Sequence, residues 1–211
     1  MSTENLIAAL AADRSRGMKP GRALAAAAAA GIAATAIVFF AFVHPRPDFM
    51  PAMHSWRFVT KFVLAFALAA SASALVLRAG RPDDGHGARD RLLWIAPAML
   101  FAALVVELFS LAPDEWTARW IGHNATICLR LIPLLSLAPL AALLLALRGA
   151  APAMPARAGA LAGLAAGGIG ALFYAAHCFD DSPLFVATWY TIAITFVTLL
   201  GAWIGSRVLR W

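Results

Sequence analysis

The sequence predicts an all-α integral membrane protein, with six transmembrane helices and both N- and C-termini cytoplasmic. Three observations carry that expectation. The 211 residues are 62% hydrophobic and only 13% charged, whereas a soluble domain runs at roughly 45–50% apolar and about 25% charged. The chain contains six apolar runs of about 20 residues, each long enough to cross a hydrocarbon layer. Finally, the basic residues fall unevenly on alternate linkers. So few charges cannot cover a water-facing globule, which excludes a soluble enzyme, a coiled coil and a disordered tail.

In chain order the runs are 23–43, 58–77, 92–112, 125–147, 158–178 and 184–205. Helix breakers separate them. Pro45, Pro47 and Pro51 fill the first linker, and Gly80, Pro82, Gly85 and Gly87 the second. Pro113 opens the third, Pro152 and Pro155 mark the fourth, and Asp180 to Pro183 form the short fifth. The first run exceeds the roughly 7–15 residues of a signal-peptide core and reads as a retained anchor.

Orientation follows from the basic residues. The N-terminal stretch, the second and fourth linkers and the C-terminus hold twelve Lys and Arg, against three (Arg46, Arg57 and Arg119) on the other side. The richer side is cytoplasmic. Lys61 and Arg130, just inside helices at the poorer side, are expected to snorkel outward. The net charge of +6 is thereby explained without nucleic acid. Residues 1–22 form a cytoplasmic N-terminal segment and 23–211 a six-helix body. No soluble piece is long enough to bury a core, so a catalytic domain is excluded.

A few residues stand out within this frame. Gly159, Gly163 and Gly167, and then Gly201 and Gly205, recur at four-residue spacing, which predicts close packing of the last two helices. Cys128 and Cys178 fall on antiparallel helices at the same depth, within roughly 5 Å of the outer interface. If those helices pack, the thiols meet or share one soft ion; otherwise they are small buried hydrophobes. His177 and His123 lie nearby as candidate additional ligands, although interfacial histidines also serve simply to bond water and headgroups. Glu107 is the one acidic residue within a predicted run. It fits an ion pair with Lys61 or Arg130, or a proton pathway. All five histidines sit at helix ends, which argues against haem. Leu6, Ile7 and Leu10 form an apolar stripe on a helix too short to be stable alone, suited to a partner or to the membrane surface.

These residues together resemble the NrsF-type membrane anti-sigma factors of proteobacteria. The resemblance spans the whole chain: the Leu-Ile-x-x-Leu segment, six spans, Arg46-Pro47-Asp48, and Cys128 with Ile132 and Pro133. Its most specific part is His-Cys-Phe-Asp-Asp-Ser-Pro-Leu-Phe at 177–185, followed by Trp189 and Tyr190. Pro133, Asp181, Ser182 and Pro183, with Glu107, then count as structural members of the pattern. The resemblance implies a non-enzymatic inner-membrane protein that holds an ECF sigma factor through its N-terminal segment. It also implies that Cys128 and Cys178 sense heavy metals or oxidants from the periplasm. No permanent cofactor is implied, only a transient ion of the copper, zinc, cadmium or chromium class. The expected partners are the sigma factor and membrane lipids, with no direct nucleic-acid binding and the oligomeric state open. Two other classes compete. A small metal- or proton-coupled transporter would use Glu107 and the cysteines. A membrane thiol oxidoreductase would need a second cysteine pair or a C-x-x-C, which the chain lacks.

Overall fold

The structure is a computed structural model that describes residues 3–4, 20–79, 88–150 and 152–210. Among these there is no strand, and six helices are long and apolar enough to span a membrane. They are α1 (Pro20–Val43), α2 (Trp56–Ala79), α3 (Asp90–Ser110), α4 (Ala125–Arg148), α5 (Pro155–Ala175) and α6 (Pro183–Val208). Pro155 and Pro183 stand at helix starts, where a missing N–H costs nothing. The six apolar runs are therefore found, with ends shifted by a few residues. One shift matters: α5 stops at Ala175, so Cys178 sits on the loop after it. The linkers also hold two short helices, Phe49–Ala52 and Trp116–Ile121, which hydropathy alone does not flag.

The bundle is organised around α5, which packs against α6, α2 and α4; α1 lies on α4, and α3 sits at the rim against α2. Glycines explain why α5 is central. A Cβ at Gly159 or Gly163 would strike the α6 backbone at Gly201 or Val197, one at Gly168 the α2 backbone at Ala69, and one at Gly170 the α4 carbonyl of Ile132. Three partners thus approach to backbone contact, which is how helices associate where lipid removes the hydrophobic drive. The expected α5–α6 glycine seam is present.

A second close approach joins α1 to α4. Pro139 has no N–H to give the Leu135 carbonyl, and a free carbonyl in hydrocarbon is costly. Thr35 of α1 fills the gap, its hydroxyl donating to Leu135 O at 2.9 Å. Gly31, one turn earlier, lets α1 close onto Pro139.

Three charge expectations are corrected. Lys61 does not snorkel: it is 1% exposed and bonded inside the protein. Glu107 does form an ion pair, but with Arg57 at 2.7 Å and not with Lys61 or Arg130. Nor is Glu107 the one acid in a span, since Asp90 opens α3 and pairs with Arg157 of α5 at 2.8 Å.

Candidate functional site

The polar heart of the molecule is the loop Cys178–Ser182 between α5 and α6. Between them its polar groups tie down four other parts of the chain. The Cys178 carbonyl accepts from Lys61 Nζ of α2 at 2.7 Å and from Arg46 Nη1, on the loop after α1, at 3.2 Å. Asp181 receives the same two cations, Lys61 Nζ at Oδ1 and Arg46 Nη1 at 3.0 Å. Asp180 Oδ2 accepts from the backbone N–H of His123 and Asn124 and from the Asn124 side chain, at 2.8–3.0 Å. A carboxylate at the start of α4 is also favoured by the helix dipole. Ser182 donates to Glu107 of α3 at 2.8 Å and accepts from Leu184 N, capping α6. One five-residue stretch thereby holds α2, α3, α4 and the α1 loop in register with α6.

Arg46 is the largest single contributor. Its side chain also makes a two-point pair with Asp48, both distances 2.7 Å, and stacks over Phe179 with 4.6 Å to the ring centre. The hydrogen bond from Arg46 holds the Asp48 carboxyl below the usual carboxylate range, and the reciprocal bond holds the guanidinium above its own. Just before it, His44 adopts φ 62° and ψ 149°, a conformation essentially reserved for glycine. The strained turn is pinned by Arg46 N–H donating to Ala176 O at 3.0 Å and by the His177 ring against His44 O, also at 3.0 Å. Gly122 makes the opposite turn at φ +62°, where a Cβ would strike the Phe185 ring and the Asp180 carboxyl.

Both cysteines are free, fully buried and in one apolar cluster with Ile132, Tyr174, Phe185 and Tyr190. Cys178 Sγ donates to Asp180 O at 3.7 Å. Burial pushes its thiol up from the ordinary cysteine value, against an opposing pull from the Lys61 ammonium. At neutral pH it is a protonated, shielded thiol.

The other sequence candidates separate. His123 has a 96% exposed side chain, and His177 is occupied with His44 O. Among the described residues no three His, Cys, Asp or Glu side chains gather to hold a metal. Glu107, Asp181, Ser182 and Pro183 all belong to the hub or its cap, while Pro133 lies inside α4. Leu6, Ile7 and Leu10 lie outside the described residues. What sequence reasoning missed is the anchoring by Lys61, Arg57, Asp180 and Asn124. Its one available signal was the gathering of acids and bases on linkers at the same end.

A family model described as "Negative regulator of sigma F" matches residues 9–211. Over its full length the chain is 36% identical to the anti-sigma-F factor NrsF of Caulobacter vibrioides, and all of that protein is covered. It is 31% identical, again with complete coverage of both chains, to a probable anti-sigma-F factor NrsF of Azospira oryzae. No solved structure matches.

Proposed function

The chain belongs to the NrsF family, the negative regulators of sigma F, and from that premise we propose that it is a membrane anti-sigma factor with a regulatory role and no catalytic one. Residues 1–22 lie in the cytoplasm of this inner-membrane protein and hold an ECF sigma factor inactive. Leu6, Ile7 and Leu10 present the apolar stripe that the sigma factor covers. Residues 23–211 are the sensor. The basic-residue asymmetry supports an orientation with the Cys178 end in the periplasm.

One observation carries the sensing half of the proposal: Cys178 lies on the loop that ties four elements together, and Cys128 shares its buried cluster. A metal ion replaces the two thiol protons and bridges the sulfurs. An oxidant instead removes two electrons and two protons, forming one S–S bond while itself being reduced. Either event draws Cys178 toward α4 and takes its carbonyl from Lys61 and Arg46. The strained His44 turn and the Asp181 ion pairs then lose their fixed geometry, and the shift reaches the cytoplasmic side through α5. Moving a population from 1:99 to 99:1 takes about 5.5 kcal/mol. Two thiolate–metal bonds are of that order, whereas one histidine hydrogen bond is not. Glu107, on which a transport reading would rest, is occupied by Arg57 and Ser182.

The test is co-purification of an ECF sigma factor with the full chain in detergent, with and without residues 1–12. Capture by the full chain and loss on truncation are expected. Cys128→Ser and Cys178→Ser should keep the sigma factor bound and abolish induction. Normal induction by metal or oxidant in either variant would sink the thiol mechanism, and absence of sigma from the full chain would sink the anti-sigma reading.

A further inference from the structure

Tyr190, near the start of α6, is 2% exposed, and among the described residues its hydroxyl is the buried side-chain polar atom left with no hydrogen-bond partner. An orphaned hydroxyl in a membrane interior is costly and calls for a partner. Threonines of the same helix avoid that cost, since Thr188 and Thr198 donate back to the Leu184 and Ile194 carbonyls. Tyrosine, with its hydroxyl across a ring, cannot fold back in this way. The Tyr190 ring is held against Tyr174 and Phe185, with centres 5.6 and 6.3 Å away, at the end of a widened π turn, Val186–Tyr190. Such turns recur at functional sites. So placed, the hydroxyl faces the Cys178 sulfur, within the buried cluster that also holds Cys128.

The protonation state of that sulfur decides whether Tyr190 has a partner. A thiol is a weak acceptor, and this one points its own proton at Asp180 O, 3.7 Å away. A thiolate is an ionised acceptor, and hydrogen bonds to ionised groups are roughly twice as strong as neutral ones. The Tyr190 hydroxyl is thus unsatisfied beside the resting thiol and satisfied beside the thiolate. Tyr174 differs, because its hydroxyl already has the Asn124 carbonyl at 3.5 Å. The other groups around Cys178 come from each neighbouring element. Lys61 of α2 and Arg46 after α1 converge on its carbonyl, and α4 contributes Cys128. Asp180 and Asp181 follow on the loop, and Glu107 of α3 is engaged by Arg57 and Ser182. Burial pushes the Cys178 thiol up; the Lys61 ammonium and the Tyr174 hydroxyl pull it back, and the Asp180 carboxylate adds weakly to the rise.

We propose that Tyr190 stabilises the thiolate of Cys178: its hydroxyl donates to the sulfur once the thiol proton has left to solvent, which makes Cys178 the first of the two cysteines to ionise. The inference rests on the reading of Cys178 as a sensing thiol, because it is the thiolate that a metal ion or an oxidant takes. The two fail separately. Ionisation is measured without sigma factor, metal or oxidant, so normal induction in Cys178→Ser would sink the sensing reading and leave the ionisation result in place.

The test follows the infrared S–H stretching band of the full chain, in nanodiscs of phosphatidylethanolamine and phosphatidylglycerol, as pH is raised. The chain has two cysteines, so Cys128→Ser leaves Cys178 as its one thiol. Adding Tyr190→Phe, which removes only a hydroxyl, should move the loss of the band upward by about one pH unit, a tenfold change in ionisation constant. The unfolding midpoint should stay level or rise, since no orphan remains, and that pairing of signs separates a thiolate partner from a tyrosine that merely packs. Without the second substitution, the tyrosine C–O stretch should shift as the S–H band disappears. Cys178→Ser, which leaves Cys128 alone, should keep its S–H band to higher pH. An unmoved S–H midpoint in a Tyr190→Phe chain with unchanged circular dichroism would overturn the proposal. So would a tyrosine C–O band indifferent to the thiol, or a Cys128 that ionises first.

Discussion

The two ends of the bundle are held by different physics. At the Gly201 end the core is mainly apolar: Leu24, Leu75, Leu143 and Leu147 pack around Ala158, Ala162 and Ala165, beside a glycine seam where α5 and α6 touch backbone to backbone, and the Asp90–Arg157 pair there is partly exposed. At the Cys178 end the apolar cluster is capped by buried Lys61, Glu107, Arg46 and Ser182. Dispersion contacts weaken gradually as helices separate. Buried charges do not: each is stable only while its partners stay in place, so the network holds as a unit or fails as one. A bundle built this way has one end that yields gradually and one that holds or fails as a unit.

The sharpest test of that contrast is Asp181→Asn. It leaves Lys61 and Arg46, both buried, short of a carboxylate, and breaking a buried pair costs about 3–5 kcal/mol. Denaturant unfolding of the detergent-solubilised full chain should register a loss of that size. Adding Lys61→Met should recover part of it, because Arg46 still has Asp48. If Asp181→Asn unfolds like the parent, charge pairing is not what holds this end.

The opposite end is probed by Gly163→Ala. The new methyl would meet Val197 O and the Thr198 backbone, forcing α5 and α6 apart at a cost of about 1–3 kcal/mol. Gly149→Ala, where a Cβ finds only ordinary contact with Ala146 O at 3.6 Å, should be close to neutral. Equal effects at the two positions would show that the seam carries no special load.

The same contrast decides what could be read from the sequence. Spans follow from local composition, and the seam from a fixed spacing, so both were legible. The network depends on which linkers meet. Arg46 and Asp181 are 135 residues apart, and only the packing of α2 and α4 on α5 brings their loops together. Lys61 looked like a snorkelling lysine because a position near a helix end says nothing about which face it takes. An ion pair for Glu107 follows from the sequence in kind, but its partner Arg57 falls outside the apolar run at 58–77 and is in the first turn of α2. The stripe at Leu6, Ile7 and Leu10 and its role rest on sequence and family alone.

Metal binding at the thiol pair should carry a pH dependence of intermediate size. Burial raises the Cys178 thiol, so it is protonated at neutral pH and an incoming ion must release that proton. Proton release makes affinity rise as pH rises and fall as it drops, by up to about tenfold per pH unit for each proton, or about 1.4 kcal/mol. Cadmium titrations of the full chain between pH 6 and 8 should follow that sign. Affinity independent of pH would mean that the ion is held by groups other than the thiols.

The smallest effect separates burial from charge. Arg119, on the short helix Trp116–Ile121, and Glu115, its N-cap residue, also form an ion pair at the Cys178 end, but at 3.8 Å and with both side chains about half exposed. Water and salt screen such a pair, and exposed pairs four residues apart on a helix are worth about 0.3–0.5 kcal/mol at most. Arg119→Ala should therefore leave the unfolding midpoint almost unmoved and, unlike Asp181→Asn, leave Cys178 as slow to react with maleimide as in the parent. A loss approaching that of Asp181→Asn would mean that stability at this end follows net charge, and the buried hub would lose its special status. A null effect beside a large one at Asp181 would show that the few charges water cannot reach hold this end together.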